Sequence, residues 1–394
     1  MVSVFRCAIT VCLIAACGAD AALFVTTQTP SAAALLCRIA ASDGTWDYAA
    51  VDDVGRRLFI ARHDGVMAID LNSYAVTTHF VEGAEVHAVI PLRDTGAVLS
   101  TNGATDSATV FDGTTGKILA RISAGHEPDA AVEDPRTGLV LVVNGDDGVI
   151  TLIDVAASKP VGTIEVGGKL EFAVTDAHGL AYVNVENGGL SCYLKAITDI
   201  GYFSCKGQIA VLDISARRVV RRMALTGCDF PTGLAWDPET GLLISACALN
   251  GVAKVIVAKT GEEVATLPIG RFPDAVILDG KRRRLFVPNG GDGTLTIVDI
   301  ESPRDVRVTG TIKTKVSART GALDEVTGNV YLPSATLAKQ LLPWFRTRYV
   351  PGTFEVLVVG WPNSQNASLG RATGIGGSAD QLCGEDRLRE LTCT

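Results

Sequence analysis

Seven times along this chain of 394 residues, one segment recurs: a short apolar strand ending in Asp or its equivalent, a tight turn, a second apolar strand, a Gly/Asn turn, and a third strand that usually closes on Asp. The clearest copies run from Pro128-Asp129-Ala130-Ala131-Val132-Glu133-Asp134 to Val149-Ile150-Thr151-Leu152-Ile153-Asp154, and from Pro273-Asp274-Ala275-Val276-Ile277-Leu278-Asp279 to Thr294-Leu295-Thr296-Ile297-Val298-Asp299. A unit of three or four strands cannot bury its own apolar face, so it must stack on copies of itself.

The turn after the first strand marks each copy: Asp52, Leu92, Asp134, Asp176, Asp237, Asp279 and Asp324, at intervals of 40, 42, 42, 61, 42 and 45 residues. Runs such as Val140-Leu141-Val142-Val143 and Val356-Leu357-Val358-Val359 read as strands, while Asn144-Gly145, Asp147-Gly148, Asn289-Gly290 and Asp292-Gly293 read as hairpin turns. No long segment has a helical period. Leu36-Cys37-Arg38-Ile39 stands ahead of Asp47 much as Leu119-Ala120-Arg121-Ile122 stands ahead of Asp129. It is therefore expected to serve as the outer strand of the last unit, a clasp that removes the open edge of the ring. The expected architecture is all-β: a seven-bladed β-propeller over residues 35–360, closed by an N-terminal outer strand, with a loop-like tail over 361–394. With 47% hydrophobic and only 20% charged residues, the composition suits one large packed body.

Residues 1–22 read as an export signal, with Arg6 ahead of an apolar stretch and small residues after it. Two cleavage readings stand. Ile14-Ala15-Ala16-Cys17 resembles a lipobox that would leave Cys17 as a lipid-bearing N-terminus, and Ala19-Asp20-Ala21 offers ordinary release. Either one puts the chain outside the cytoplasm, in the periplasm or an equivalent compartment, lipid-anchored in the first case, where disulfides are permitted. Cys228 and Cys247 flank the hairpin at Asp237 and come level across adjacent strands, so they are expected to bridge. Cys192 with Cys205, and Cys383 with Cys393, bracket local loops and are expected to pair likewise. Cys37 is left as a buried thiol or as an exchange partner for the tail.

Tyr182-Val183-Asn184, Val142-Val143-Asn144-Gly145, Pro231-Thr232-Gly233-Leu234-Ala235, Gly293-Thr294-Leu295-Thr296 and Ala318-Arg319-Thr320 resemble elements of the YVTN-repeat β-propellers, including the YncE-like periplasmic proteins, over nearly all of the mature chain. No copy spells the four-letter signature in full. The resemblance implies a seven-bladed propeller in the superfamily that includes quinoprotein amine dehydrogenase subunits, and it implies little about chemistry.

Five residues before each marker lie Asp47, His87, Asp129, Glu171, Thr232, Asp274 and Arg319. The innermost strand of every propeller blade starts at one face, so these seven polar residues are expected to ring the channel mouth as a ligand-binding site. Crowded carboxylates there either form an ion network neutralised by Arg319 or hold a cation. The oxygen ligands Asp47, Asp129, Glu171 and Asp274, with one imidazole, would suit a divalent cation such as calcium, magnesium or manganese better than zinc. His126, beside Glu127, is a secondary candidate.

Insertions at 186–207 and 333–352 fall between second and third strands and are expected to rise from the ring face as a rim. Leu337, Leu341, Leu342, Trp344 and Phe345 suggest a short helix packed there. Arg56, Arg57, Arg136, Lys159, Arg217, Arg218 and Lys281-Arg282-Arg283-Arg284 fall in turns toward the opposite face, a solvated surface or a contact for anionic lipid or nucleic acid. The net charge of −8 opposes nucleic acid as a partner. There is no Gly-x-Ser-x-Gly elbow, Walker loop, haem-attachment motif or zinc-type Cys/His cluster. The expected function is a monomeric, non-enzymatic exported propeller that binds a small ligand, cation or partner protein at the channel mouth. A metal-dependent hydrolase or lactonase using the carboxylate ring is the alternative, and nucleic-acid binding through the basic face the second.

Overall fold

The structure is a computed structural model and describes residues 32–187, 206–338, 348–362 and 382–383. Each repeat forms one four-stranded antiparallel sheet, and the seven sheets stand as blades around a central axis, a seven-bladed β-propeller. In chain order the innermost strands of blades 1 to 7 are Trp46–Asp52, Val86–Pro91, Pro128–Glu133, Lys169–Thr175, Pro231–Asp237, Ile277–Asp279 and Ala322–Leu323. Blades 1 to 6 then run outward in sequence order; blade 3, for instance, continues through Leu139–Asn144, Val149–Asp154 and Lys159–Glu165. Among the described residues, a single short 3-10 turn, Gly103–Thr105, is the sole helical element.

Sequence pattern explains the radial order. Second and third strands are covered on both faces by neighbouring blades, so they read as continuous apolar runs, as in Leu139–Asn144. Outer strands have one wet edge and alternate instead, with Arg218–Ala224 and Asp305–Lys313 exposing every other residue. Their Arg and Lys side chains also discourage edge-to-edge pairing with other chains.

The core is not central but divided among the seams. Seven apolar clusters are found among the described residues, one for each blade–blade interface. Leu141, Val143, Ile150 and Leu152 of blade 3 meet Val183, Val185, Ala210 and Leu212 of blade 4, all fully buried. Burying a Val, Ile or Leu contributes about 1.5–3 kcal/mol, so each seam is held by an apolar contact of its own.

The ring closes as the sequence predicts. Ala34–Ala40 joins blade 7 as its outer strand, antiparallel to Glu355–Gly360, with Ala34 opposite Gly360 and Ala40 opposite Glu355. Arg38 adds an ion pair to Glu355 at 2.7 Å. Both insertions leave from the same face, where Asn187 pairs with Lys206 in blade 4 and Leu337 with Tyr349 in blade 7. Leu341, Leu342, Trp344 and Phe345 lie outside the described residues.

Cys228 and Cys247 are bridged as expected, although the register sets Cys247 opposite Pro231 and Cys228 lies in the loop ahead of that strand. The tail differs from expectation: Cys383 is bonded to Cys37, 346 residues away, and not to Cys393. The reason is a strand-like contact. Leu382 pairs in parallel with Arg38, and the Cys383 amide donates to the Arg38 carbonyl at 2.8 Å, which sets the two Cα atoms 5.3 Å apart. Cys17, Cys192, Cys205 and Cys393 lie outside the described residues. The two disulfides point to an oxidising, extracytoplasmic setting. Among the described residues no helix is long and apolar enough to cross a membrane.

At the face opposite the insertions, the Asp that ends the inner strand accepts turn amides, as Asp52 does from Val54 and Gly55 and Asp324 from Val326 and Thr327. Several turn arginines then cross the seams. Arg56 of blade 1 binds both oxygens of Asp324 in blade 7, and Arg283 of blade 6 binds both oxygens of Asp237 in blade 5. Arg282 pairs with Asp279, Arg284 with Asp299, and Lys281 with Glu325. Much of the expected basic surface is thus paired with carboxylates, across a seam for Arg56, Arg283 and Lys281 and within blade 6 for Arg282 and Arg284. The Asp237 side chain is only 1% exposed, so Arg283→Met should strand a buried charge and cost about 3–5 kcal/mol of unfolding free energy. Urea denaturation measures this; a loss below about 1 kcal/mol would mean that the pair behaves as an ordinary surface contact.

Candidate functional site

A repeated backbone device aims the seven ring residues. In blades 1 to 5 the ladder between first and second strands slips near its start, between Trp46 and Ala49, Val86 and Val89, Pro128 and Ala130, Leu170 and Ala173, and Pro231 and Leu234. Asp47, His87, Asp129, Glu171 and Thr232 lie inside these irregularities, which re-aim a side chain that regular pleating would direct elsewhere. In blades 6 and 7, Asp274 and Arg319 come before the regular strand, Asp274 directly after the bridge between Pro273 and Asn289. Two or three residues upstream of every ring position, the backbone is left-handed: Gly44, Glu85, Glu127, Gly168, Phe230, Phe272 and Ser317. Five of these are not glycine, a strained choice that the surrounding structure must hold in place.

Three charge groups result. In the first, His87 Nδ1 lies 2.9 Å from Asp47 Oδ2 and 3.5 Å from Asp129 Oδ1. In the second, Arg319 Nε donates to Asp274 Oδ2 at 2.7 Å, and its Nη2 reaches Asp47 Oδ1 at 3.4 Å. In the third, Lys169 Nζ donates to Glu171 Oε1 at 2.7 Å, while Glu186 lies within hydrogen-bonding reach of Glu171. Thr232 does not join them; its hydroxyl donates to the Pro273 carbonyl at 2.8 Å and ties blade 5 to the loop entering blade 6. His126 also turns away, pairing with Asp106 at 3.1 Å on the exposed rim.

Tyr48 gives the mouth an apolar floor. Its hydroxyl donates to the Asp274 carbonyl across the axis at 3.3 Å, and its ring packs against Phe172 with centroids 5.2 Å apart. A cavity of about 260 Å³ is lined by Asp47, His63, Glu85, His87, Glu127 and Arg319 among others.

Charges set on such a floor titrate abnormally. Burial, then the neighbouring Asp47 charge, pushes the Asp129 carboxyl up to about 7. Burial also raises Glu171 to about 7 against the pull of Lys169, and burial with Glu171 raises Glu186 to about 8. The Asp47 hydrogen bond outweighs burial at His87 and lifts it to about 9. Burial opposes the charge on Arg319, yet Asp47 and Asp274 more than compensate and its pKa rises. One Glu186 oxygen, Oε1, is buried with no hydrogen-bond partner.

Lys169, Glu186 and Tyr48 were not legible as site residues from the repeat offset. Lys169 precedes Glu171 by two and so shares its strand face, and Glu186 is its cross-strand partner. Those two relations are the signal that could have found them.

No family model matches the chain, and no curated protein matches it. Among solved structures, a chain of Kuenenia stuttgartiensis hydrazine synthase superposes with a TM-score of 0.61 at 16% identity, covering 74% of this chain and 94% of that one. A chain of a mitotic checkpoint complex superposes with a TM-score of 0.63 at 14% identity, covering 81% and 94% respectively. Both are β-propeller proteins, and the likeness is one of fold.

A carboxyl whose pKa is raised on folding contributes stability at pH below its unfolded value and loses it as pH rises through the folded value. Glu186 faces Lys169, Glu171 and Asp274, and it is raised to about 8. Glu186 should therefore cost stability as pH rises from about 4.5 to about 8, and Glu186→Gln should match wild type near pH 4 but melt about 2 °C or more higher at pH 9. Thermal melts across this range test the point; parallel curves for the two proteins would show that Glu186 is ionised throughout.

Proposed function

We propose that this chain is an extracytoplasmic binding propeller, periplasmic and YVTN-like in family, whose channel mouth takes a ligand bearing positive charge. One observation carries the reading: Asp47, Asp129, Glu171, Glu186 and Asp274 gather at the mouth, and among the described residues His87, Lys169 and Arg319 are the cations paired with them. Asp47 of this group lines an open cavity together with His87, Glu85, Glu127 and Arg319. A cation entering there replaces water as the counter-charge in surroundings where ion pairs are strong. Binding is favoured over nucleophilic catalysis because Thr232, the one hydroxyl of the ring, is committed to a backbone carbonyl.

The pairing of Arg56, Arg282, Arg283 and Arg284 with carboxylates speaks against the opposite face as a nucleic-acid surface. A lipid tether at Cys17 fits the clasp strand, which starts at that face; fractionation should find the wild type with membranes and Cys17→Ala released, and equal retention would remove the tether from the proposal.

Calorimetric titration with ethylguanidinium or butylammonium, against a neutral amide of similar size, tests the site. The cations should bind with 1:1 stoichiometry and the amide should not. The double variant Asp129→Asn, Glu171→Gln should weaken binding by about 10- to 100-fold, the loss expected for charge-assisted hydrogen bonds. Binding of phosphate in preference to these cations would overturn the proposal.

A further inference from the structure

The ring is not one ligand set, because its members are unequally engaged. Arg319 holds Asp274 at 2.7 Å and Lys169 holds Glu171 at 2.7 Å, so two of the four carboxylates expected to ligate a hard ion already carry a fixed cation. Asp47, His87 and Asp129 are left facing one another, with one donor atom from each within 4.8 Å of the others. Arg319 approaches Asp47 at Oδ1, leaving Oδ2 turned to His87. The three side chains come from successive blades, each from an inner-strand irregularity, so their spacing is set by the ring itself.

We infer that Asp47 Oδ2, His87 Nδ1 and Asp129 Oδ1 form a binding site for a divalent first-row transition ion, such as manganese, cobalt or zinc, and not for calcium. This deepens the proposed function and rests on it, since the ion is one kind of positively charged ligand for the same mouth. Three protein donors, one of them imidazole, make a mixed nitrogen–oxygen set that suits borderline ions, whereas calcium requires six to eight oxygens. Asp47 and His87 line a cavity of about 260 Å³ with His63, Glu85 and Glu127, so on that side coordination positions are open to water or to a donor group of a second ligand. The charge of Arg319 does not exclude the ion, because it is shared between Asp274 and the far oxygen of Asp47.

The test is calorimetry and optical spectroscopy on the chelator-treated full chain, with Co²⁺, Mn²⁺ and Ca²⁺ as separate probes. Co²⁺ and Mn²⁺ should bind 1:1, and His87→Gln and Asp47→Asn should each weaken them by about 10- to 100-fold, at least the loss caused by removing an outer-shell partner. The visible Co²⁺ band of the wild type should shift in His87→Gln, a readout independent of stability. Equal affinity for Ca²⁺ with His87→Gln unchanged would overturn the transition-ion assignment. Binding of organic cations without any metal binding would likewise overturn it while leaving the proposed function standing. Failure of both kinds of cation would remove the two together.

Discussion

The hydrogen-bonded ladder between Ala34–Ala40 and Glu355–Gly360 carries the whole architecture. Without it, blade 7 keeps three strands and a bare edge, and the seam between blades 7 and 1 loses its outer support. The seven seams form a closed circle, so each depends on the others for its curvature. The ion pair from Arg38 to Glu355, the arginine of blade 1 reaching Asp324 of blade 7, and the disulfide from Cys37 all fall at this one join. Reinforcement is concentrated where chain connectivity is absent.

The same circle explains why the channel mouth is both charged and rigid. Inner strands converge on the axis, where a regular pleat would crowd side chains, and the irregular starts of these strands let one polar residue per blade lean inward. A left-handed residue just upstream fixes the entry of the chain each time. Buried Tyr48, packed on Phe172, adds apolar surroundings beside the charges, where neighbouring carboxylates compete for the cations within reach. Lys169 and Arg319 settle part of that competition and leave the Asp47, His87 and Asp129 side unsettled.

Much of the fold was legible because it is periodic. Marker positions at near-constant intervals located seven inner strands, and the likeness of Leu36-Cys37-Arg38-Ile39 to a later outer strand located the clasp. Cys228 with Cys247 was legible because the two flank one short hairpin, 19 residues apart. Cys37 with Cys383 was not, because proximity there depends on where the tail returns after the full circuit, and local spacing suggested Cys393 instead. At the mouth, the repeat offset named residues by position but not by partner. Thr232 turning to a carbonyl, Lys169 capturing Glu171, and Tyr48 crossing the axis follow from side-chain geometry that depends on bulges, which leave no mark in the alternation of apolar and polar residues.

The bond between Cys37 and Cys383 makes a covalent loop of nearly the entire described propeller. A protease that severs the backbone once anywhere between those two residues therefore leaves one molecule, whose ends at the cut stay tethered through sulfur. Seams that each bury an apolar cluster of their own can keep such a nicked ring assembled. In a compartment rich in proteases, breakage of one peptide bond need not mean the loss of a blade.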